Sequence, residues 1–380
     1  MILPIKRIFF IDPQSGGNLA IYDHGIFSGL REESILYLCN CQYPFKEGDN
    51  IEIKKVFSYN SKKFSVTKAL SYSFSMLRIL WIGLLQHPKA IHIQWLKLFW
   101  IDYIVYSLLS KLAGSKIIFT AHNIVPHEAS KSDVEHYRRW YKLCDKVICH
   151  TETSRKELVD QMKVPIDKTA VIPHGCLDIP CDKKELLSIQ NEYKEKLGIK
   201  PNQIVFGHLG FLSEYKGSDL LIKAWCENEK LHNSKDAILL IAGKKGQVEI
   251  PDNLPENVKL INQYLTNEEF KALLKLTDVM VMPYRRIDQS GLLLTLLNEN
   301  IPFIVSDAGE LSKTLEIADV GWCLDNIQTE TIAKQILDIV SNSESLQVKK
   351  HTKDWKKLHE LFDWSAISDK TSRLYESLMK

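Results

Sequence analysis

The chain has 380 residues, of which 45% are hydrophobic and 25% charged, and its formal net charge at pH 7 is +2. This length predicts about two domains, and the composition excludes a disordered, collagen-like or coiled-coil chain. The apolar run 79–85 is far shorter than the roughly 20 residues that a membrane-spanning helix needs. Lys6 and Arg7 lie inside the first apolar stretch, which fits a first strand better than a signal peptide, so we expect a cytoplasmic protein.

The cysteine spacing indicates the redox state of the thiols, and the charge distribution indicates the class of partner. Eight cysteines stand at positions 39, 41, 144, 149, 176, 181, 226 and 323, without the two-residue separation typical of zinc or redox sites, so reduced thiols are expected. Residues 1–180 hold 23 Lys and Arg against 17 Asp and Glu, whereas 181–380 hold 26 against 30. A basic first half favours a phosphate-bearing partner or an anionic membrane surface. We expect no nucleic-acid partner.

Short apolar runs alternate with longer amphipathic stretches, which is the pattern of β–α units around a parallel sheet. In the first half this alternation predicts strands at 7–11, 34–38, 90–94, 116–120, 146–149 and 169–172. Between 101 and 112, apolar residues recur at three- and four-residue spacing, which predicts a helix that packs on the sheet.

The polar stretch 178–202, with Pro180, Gly198 and Pro201, marks the predicted domain boundary. Beyond it, strands are predicted at 204–209, 237–241, 258–261, 279–282, 303–305 and 321–323, and helices at 218–226, 267–276, 291–298, 310–317 and 329–341. The prediction is an α/β protein with two Rossmann-like doubly wound domains, 1–180 and 181–362, that face a central cleft. Ligands of such sheets bind beyond the carboxyl ends of the strands.

Two loops of the second half have features of phosphate sites. The first, 206–217, joins a strand to a helix through glycines and carries Lys216, and helix amides with one ammonium make a phosphate cradle. The second, 283–294, contains Arg285 and Arg286 before Gly291 begins an apolar helix. Arginines beside a helix start favour anion binding, although it is equally consistent with the sequence that both are solvated loop residues. The alternative for Lys216 is that it is an ordinary surface lysine.

A third polar segment, 119–128, follows a predicted strand of the first half and contains His122, His127 and Glu128. Pro126 separates the two histidines, so they share no helix face, and we expect no metal site there.

The order of these segments resembles the GT-B glycosyltransferases, and within them the large retaining family 4 (group 1), in its Gln-Ser-Gly subset. The segments that carry the resemblance are Gly16-Gly17, Thr120-Ala-His-Asn, Tyr215-Lys216-Gly217, Val281-Met-Pro-Tyr284, Gln289-Ser290-Gly291, Ile304-Val-Ser-Asp307, Ala308-Gly309-Glu310 and the helix that begins at Trp364. They extend over nearly the whole chain. In such enzymes the last helix, here 363–380, crosses back onto the first domain, which binds the acceptor.

The resemblance implies a role for each of these residues. Lys216 and the amides near Ser290, Gly291 and Leu292, with Gln289, would bind the diphosphate of a nucleotide sugar. His122 would contact the donor sugar. Gly16 and Gly17 would let the backbone approach the donor. Gly243 and the turn at Tyr264 would hold the nucleotide base.

Two departures from the family pattern bear on the donor. The arginine that the family often has before the lysine is absent between Gly207 and Lys216, so Arg285 or Arg286 is predicted to replace it. The family's pair of glutamates is also absent, since Asp288 or Gln289 stands at the first position and Leu296 at the second. The second glutamate commonly binds the nucleotide ribose.

The resemblance therefore implies a retaining hexosyltransferase that moves a sugar from a nucleotide diphosphate sugar to a saccharide acceptor, lipid-linked, for a bacterial surface polysaccharide. No metal and no cofactor beyond the donor are expected. Two alternatives are a nucleotide-sugar 2-epimerase, for which only Asp288 and Glu128 offer carboxylates, and an inactive partner subunit. Trp95, Lys97, Phe99 and Trp100 suggest salt-sensitive binding at the inner face of the membrane, unless these aromatic residues belong to the core.

Overall fold

A computed structural model describes residues 7–30, 34–46, 48, 50–58, 66–125, 130–287 and 290–379. The chain divides into two compact units, the first of Met1–Gly175 with Phe362–Lys380 and the second of Cys176–Leu361. The division falls before 180 because the segment after Gly175 is bonded to the second unit. Leu177 donates its backbone N–H to Leu294 O at 3.3 Å, and Lys271 Nζ lies 2.7 Å from Asp178 Oδ1.

The first unit contains one parallel sheet with helices on both faces. Its described strands are β1 (Arg7–Asp12), β2 (Ser34–Asn40), β3 (Ile51–Phe57), β4 (Ala90–Ile93), β5 (Lys116–Thr120), β6 (Lys146–Cys149) and β7 (Thr169–Val171). Its described helices are α1 (Asn18–Gly29), α2 (Val66–Gln86), α3 (Phe99–Ala113), α4 (Lys131–Leu143), α5 (Glu152–Asp160) and, at the chain end, α15 (Trp364–Met379). The strand order is β3-β2-β1-β4-β5-β6-β7.

Six strands of this sheet are confirmed as predicted, and β3 was missed. The missed strand lies at the sheet edge, where Glu52, Lys54 and Lys55 stand among its apolar residues. A half-exposed edge strand has no continuous apolar run, so its sequence lacks the pattern that predicts a buried strand.

Apolar side chains cover both faces of the first sheet. One face packs against α2, α3 and α4 through buried residues that include Met76, Ile79 and Leu109. The other face packs against α1 and α15 through residues that include Ile26 and Tyr375. The central strands are thus buried on both sides, as a doubly wound sheet requires.

The last helix packs on the first unit, as predicted. The indole of Trp364 fills space that two glycines leave open, since a Cβ on Gly25 would lie 2.2 Å from the ring and one on Gly175 would lie 2.4 Å from it. Ser368 Oγ donates to Ile26 O at 2.7 Å. No larger residue could replace either glycine without displacing α15.

The second unit repeats the architecture with a sheet in the order β10-β9-β8-β11-β12-β13. Its described strands are β8 (Ile204–Leu209), β9 (Ala237–Ala242), β10 (Val258–Ile261), β11 (Val279–Met282), β12 (Phe303–Ser306) and β13 (Gly321–Leu324). Its described helices are α6 (Lys183–Leu197), α7 (Ser218–Glu227), α8 (Glu229–His232), α9 (Asn267–Lys275), α10 (Gly291–Glu299), α11 (Leu311–Ile317), α12 (Thr329–Ser341), α13 (Ser343–His351) and α14 (Asp354–Leu361). All six predicted strands of this half are confirmed.

The polar stretch predicted as a boundary, 178–202, is instead largely helical and belongs to the second unit. Asp182 caps α6 by accepting from the amides of Lys184 and Glu185, and Gly198 ends the helix with a φ of 64°. Tyr193 on α6 donates its hydroxyl to Glu269 Oε1 on α9 at 2.8 Å. Helix α6 is rich in charged residues and buries only a narrow face, which explains why composition alone predicted a linker.

Through the ranges that the structure describes, no helix combines the length and the apolar character needed to cross a membrane.

Candidate active site

In the second unit, the loop after β8 positions Lys216 at the carboxyl edge of the sheet. A short 3-10 turn, Glu214–Lys216, leads into Gly217, whose φ of 69° allows α7 to begin at once. A Cβ on Gly217 would lie 2.1 Å from Pro283 O. Glycine is therefore required at this position both for its φ and for the close approach of the loop after β11.

Lys216 is half-buried, and its ammonium lies close to the Tyr284 ring and to Gly210. Nζ is 6.0 Å from the centre of the Tyr284 ring, and a Cβ built on Gly210 would meet it at 3.0 Å. Burial lowers the pKa of Lys216 to about 8, so the ammonium still carries its charge near neutral pH. No carboxylate of the described residues forms an ion pair with it. An unneutralised ammonium held in this way suits an anion.

The loop after β11 ends at the first turn of α10. Ser290 caps this helix by accepting from Leu293 N at 3.3 Å, and it also hydrogen-bonds the buried Tyr284 hydroxyl. The amides of Gly291 and Leu292 belong to the first turn, where helix amides have no intrahelical acceptor and the helix dipole favours negative charge. Asp288 and Gln289 lie outside the described residues.

The two loops are joined to each other, which brings Lys216 and the start of α10 into one site. Arg285 donates its backbone N–H to Tyr215 O at 2.8 Å. Lys216 approaches Tyr284, and Tyr284 in turn bonds Ser290. The predicted phosphate residues of the second unit, namely Lys216, Ser290, Gly291 and Leu292, therefore share one edge of the sheet.

The two predicted arginines differ in their surroundings. The Arg285 guanidinium forms a two-point pair with Asp219, with Nη1 2.7 Å from Oδ1 and Nη2 2.6 Å from Oδ2, and it also contacts Glu214 O. Its charge is compensated within the protein. Arg286 is exposed. Of the two, Arg286 is the one whose charge remains available to a ligand.

The buried His208, near Lys216, cannot provide a second positive charge for a bound phosphate. His208 donates from Nδ1 to Val281 O at 2.8 Å and accepts at Nε2 from Ser218 Oγ at 2.8 Å. Burial lowers the pKa of His208 to about 4, with the Lys216 charge acting in the same direction. His208 therefore holds the loop as a neutral ring.

A cavity of about 170 Å³ lies beside this site at the ends of β8, β9 and β10. It is lined by Gly210, Phe211, Gly243, Lys244, Gln263, Tyr264, Leu265 and Phe270. A Cβ on Gly243 would lie 1.8 Å from Gly210 O, so only glycine allows these two strand ends to meet. The structure thus brings Gly243 and Tyr264 together in an aromatic-lined cavity, and binding of the nucleotide base there stays a prediction.

In the first unit, the loop after β1 exposes backbone next to a buried carboxylate. Asp12 accepts from the amides of Gln14 at 2.7 Å and Ser15 at 2.8 Å, which fixes the loop. Gly17 has a φ of 56° and caps α1, and a Cβ there would meet nothing within 4 Å. Gly16 beside it is more crowded, since a Cβ there would lie 3.3 Å from both Gln14 O and Gln42 Oε1, and the approach of the donor to these glycines stays a prediction.

His122, after β5, is the centre of a buried polar chain. Its Nε2 lies 2.9 Å from Gln94 Oε1, and its Nδ1 lies 3.2 Å from His150 Nε2. Trp95 stacks on the His122 ring with centroids 5.6 Å apart. Burial lowers the pKa of His122 well below its usual range, and His150 acts in the same direction. The ring is neutral at pH 7, so it can take part in hydrogen bonding but carries no charge.

Sequence reasoning missed the partners of His122. Gln94, His150 and His174 each follow directly or closely on a strand, namely β4, β6 and β7, as His122 follows β5. A polar residue after each of four neighbouring parallel strands was the available signal, because the carboxyl ends of such strands lie at one edge. Trp95 was predicted to face a membrane, but it stacks on His122 instead.

No group of three or more His, Cys, Asp or Glu side chains that could hold a metal occurs in the described part of the chain. His127 and Glu128 are outside that part.

Comparison with known proteins identifies the family. The model of glycosyl transferases group 1 matches residues 189–357, and the model of glycosyltransferase family 4 matches residues 37–176. The two matches together cover most of the chain and make it a glycosyltransferase, with a group 1 region in the second half and a family 4 region in the first. An uncharacterised glycosyltransferase of Methanocaldococcus jannaschii is 20% identical over 97% of this chain and 96% of its own length.

Solved structures share the GT-B fold of this glycosyltransferase. HepE of Anabaena, in complex with UDP and glucose, has a TM-score of 0.68 at 15% identity and covers 98% of this chain and 100% of its own. Sucrose-phosphate synthase of Thermosynechococcus elongatus has a TM-score of 0.70 at 14% identity and covers 98% and 99%. The trehalose-phosphate synthase of Burkholderia vietnamiensis has a TM-score of 0.69 at 10% identity and covers 98% and 100%. At these identities the likeness shows the fold.

Proposed function

We propose that this glycosyltransferase is a retaining enzyme that moves a hexose from a nucleoside diphosphate sugar to a saccharide acceptor carried on a lipid, in the synthesis of a bacterial surface polysaccharide. The observation that carries the donor assignment is the half-buried Lys216 ammonium, which has no carboxylate partner in the described residues and stands beside the first turn of α10. The proposal assigns the donor to the second unit and the acceptor to the first.

The chemistry at Lys216 follows from where charge develops. When the bond between the sugar and the diphosphate breaks, negative charge grows on the leaving phosphate oxygens. A fixed ammonium and the α10 amides stabilise that charge without reorganising, which is the main way such a site lowers the barrier. Hydrogen bonds to Tyr284 and Ser290 keep the helix start in place for this role.

The aromatic cavity beside Lys216 supports a nucleotide donor. Tyr264 and Phe211 offer faces on which a base could stack, and Gly243 lets the base approach the backbone. HepE, which has the same fold, was solved with UDP and with UDP-glucose. We propose a nucleoside diphosphate sugar as the donor on these grounds. The missing family glutamate, where buried Leu296 stands, implies a different contact to the ribose.

Retention of configuration is proposed from the family resemblance. In the proposed step, the acceptor hydroxyl attacks the anomeric carbon from the face that the diphosphate leaves, and its proton passes to the departing phosphate oxygen. The C–O bond to the diphosphate breaks and the C–O bond to the acceptor forms. His122, neutral at pH 7, is assigned to hydrogen bonding with the transferred sugar. No metal takes part in this proposal.

The lipid-linked acceptor implies that the enzyme works at the inner face of the cell membrane. The surplus of Lys and Arg in residues 1–180 supports attraction to anionic lipid.

Incubation with a panel of UDP-, GDP-, ADP- and dTDP-linked hexoses tests the function, with released nucleotide as the readout. One donor should release nucleotide faster when an acceptor is present, and NMR of the product should show the anomeric configuration of the donor. An inverted product would refute retention. Release of nucleotide with formation of an epimerised sugar would identify a 2-epimerase instead.

A further inference from the structure

Helix α2 exposes a continuous row of large apolar side chains. Val66, Leu70, Phe74, Leu77, Trp81 and Leu85 are each between 60% and 72% exposed. They recur at spacings of three and four residues, so they form one stripe along five turns of the helix. Scattered exposed apolar residues are ordinary, but a contiguous stripe on a monomer marks an interaction surface.

The stripe is not the face that holds α2 on its own unit. That role belongs to Tyr72, Met76, Ile79 and Gly83, which are buried and lie about half a turn around the helix from the stripe. Gly83 lets α3 approach so closely that a Cβ there would lie 2.4 Å from Leu109 Cδ2. The helix thus has two apolar faces, and its own fold uses one.

Helix α3 extends the exposed surface. It packs beside α2 on the same side of the sheet and exposes Trp100, Ile104 and Leu112. We call the nine exposed residues of both helices the α2–α3 face. Arg139 lies 5.9 Å above the Trp100 ring at the edge of this face.

The exposed charges that α2 and α3 themselves carry are basic, while Arg139 of α4, at the edge of the face, is paired with Glu135. The charged residues of α2 are Lys68 and Arg78, and the helix has no Asp or Glu. In α3, Lys111 is exposed, whereas Asp102 is fully buried and bonded to Tyr72. An apolar face with basic residues on its flanks is the composition of interfacial helices that bind anionic lipid.

We propose that the α2–α3 face inserts into the interfacial layer of an anionic lipid monolayer, with α2 lying in the plane of the surface. Apolar insertion rather than charge alone provides the attachment, with Arg78 and Lys111 adding attraction to lipid headgroups. The proposal rests on the proposed function, because a lipid-linked acceptor would lie in the same layer. Of the residues predicted to contact the membrane, Trp95 stacks on His122 and Trp100 belongs to the α2–α3 face, so the proposal keeps Trp100 and adds the stripe on α2.

Vesicle sedimentation of the full chain tests this surface, with phosphatidylcholine vesicles that contain or lack phosphatidylglycerol. The triple variant Phe74→Ser, Leu77→Ser, Trp81→Ser should lower the partition coefficient at least about tenfold, since three large apolar groups leave the layer. The matched control is Ile166→Ser, Leu187→Ser, Val348→Ser, which removes three similarly exposed apolar residues elsewhere and should change partitioning by less than about twofold.

Salt and fluorescence provide independent readouts. Wild-type binding should weaken but persist in about 0.5 M salt, because screening removes attraction between charges and leaves apolar insertion. Brominated lipid should quench a tryptophan signal in the wild type that is missing in Trp81→Phe. Loss of all binding at high salt, or an unquenched Trp81, would overturn the proposal.

Other outcomes also decide the matter. If the triple variant and the wild type partition equally onto the vesicles, the proposed insertion of the α2–α3 face is wrong. A wild-type dimer that the triple variant converts to monomer, seen by analytical ultracentrifugation, would show that a second copy covers this face. Vesicle binding through the α2–α3 face without nucleotide release from any donor of the panel would leave this inference standing while the proposed function fails.

Discussion

His122 Nδ1 lies 3.2 Å from His150 Nε2 within a chain of buried polar groups. His150 donates from Nδ1 to Ile172 O at 3.0 Å, which fixes the orientation of its ring. A third ring, His174, lies 5.4 Å from His150 between ring centres. Burial keeps these rings neutral, because charging one of them would place an uncompensated cation inside the unit.

These neutral rings should make the first unit sensitive to acid. Burial lowers the pKa of His174 to about 3, whereas an unfolded histidine titrates near 6.5. Below pH 6.5 the unfolded chain binds a proton at His174, whereas the native protein does not. The free energy of unfolding therefore falls as the pH falls. Buried Asp12, whose pKa burial raises to about 6, has the opposite sign, so a single-residue variant is needed.

His174→Gln isolates this contribution in urea unfolding at pH 7 and pH 5. Between these values the wild type should lose about 2 kcal/mol more than the variant. The matched control is His232→Gln, which replaces an exposed histidine and should follow the wild type. Parallel loss in His174→Gln and wild type would contradict neutral burial.

Much of this architecture could be predicted from the sequence, because buried parallel strands such as β5 and β11 are short continuous apolar runs. Edge strand β3 and polar helix α6 could not, since neither shows a long buried pattern. In the candidate site, Lys216 and Ser290 could be predicted, because each lies next to a glycine in a loop that joins a strand to a helix. The pairing of Arg285 with Asp219 could not be predicted, because a side-chain contact joins the loop after β11 to the first turn of α7, which is distant in sequence.

Tyr264 is predicted to stack on the nucleotide base. Tyr264→Ala should weaken binding of the donor nucleotide by about 1 to 2 kcal/mol, since a lost aromatic face costs that much in base stacking. Isothermal titration with UDP, or with whichever nucleotide the panel selects, measures the change. Tyr264→Phe is the matched control and should retain binding. If the alanine variant binds as tightly as the wild type, the base lies outside this cavity.

Arg286 is predicted to provide the second positive charge for the diphosphate. Arg286→Ala should weaken binding of the nucleotide sugar by roughly 1.5 to 3 kcal/mol, the value of a charged hydrogen bond. Arg285→Ala is the comparison, and it should affect donor binding little because Asp219 already holds that guanidinium. A donor titration in which both variants match the wild type would show that the diphosphate is not compensated by this loop.

Activity is predicted to survive EDTA, because an ammonium and helix amides would neutralise the diphosphate without a divalent ion. Nucleotide release is measured before and after chelation, with EDTA presaturated by calcium as the control for the chelator itself. Loss of activity that magnesium or manganese restores would contradict this account of the leaving group.

The most direct test of the central claim is the turnover number of Lys216→Ala with the selected donor and acceptor. Loss of one preorganised cation should lower it by about two to three powers of ten, or roughly 3 to 4 kcal/mol in the barrier. Lys223→Ala, which removes an exposed lysine of α7, is the control and should turn over like the wild type, and thermal unfolding should show both variants folded. A Lys216→Ala enzyme that keeps more than about half of the wild-type rate would contradict the claim that Lys216 stabilises the leaving diphosphate.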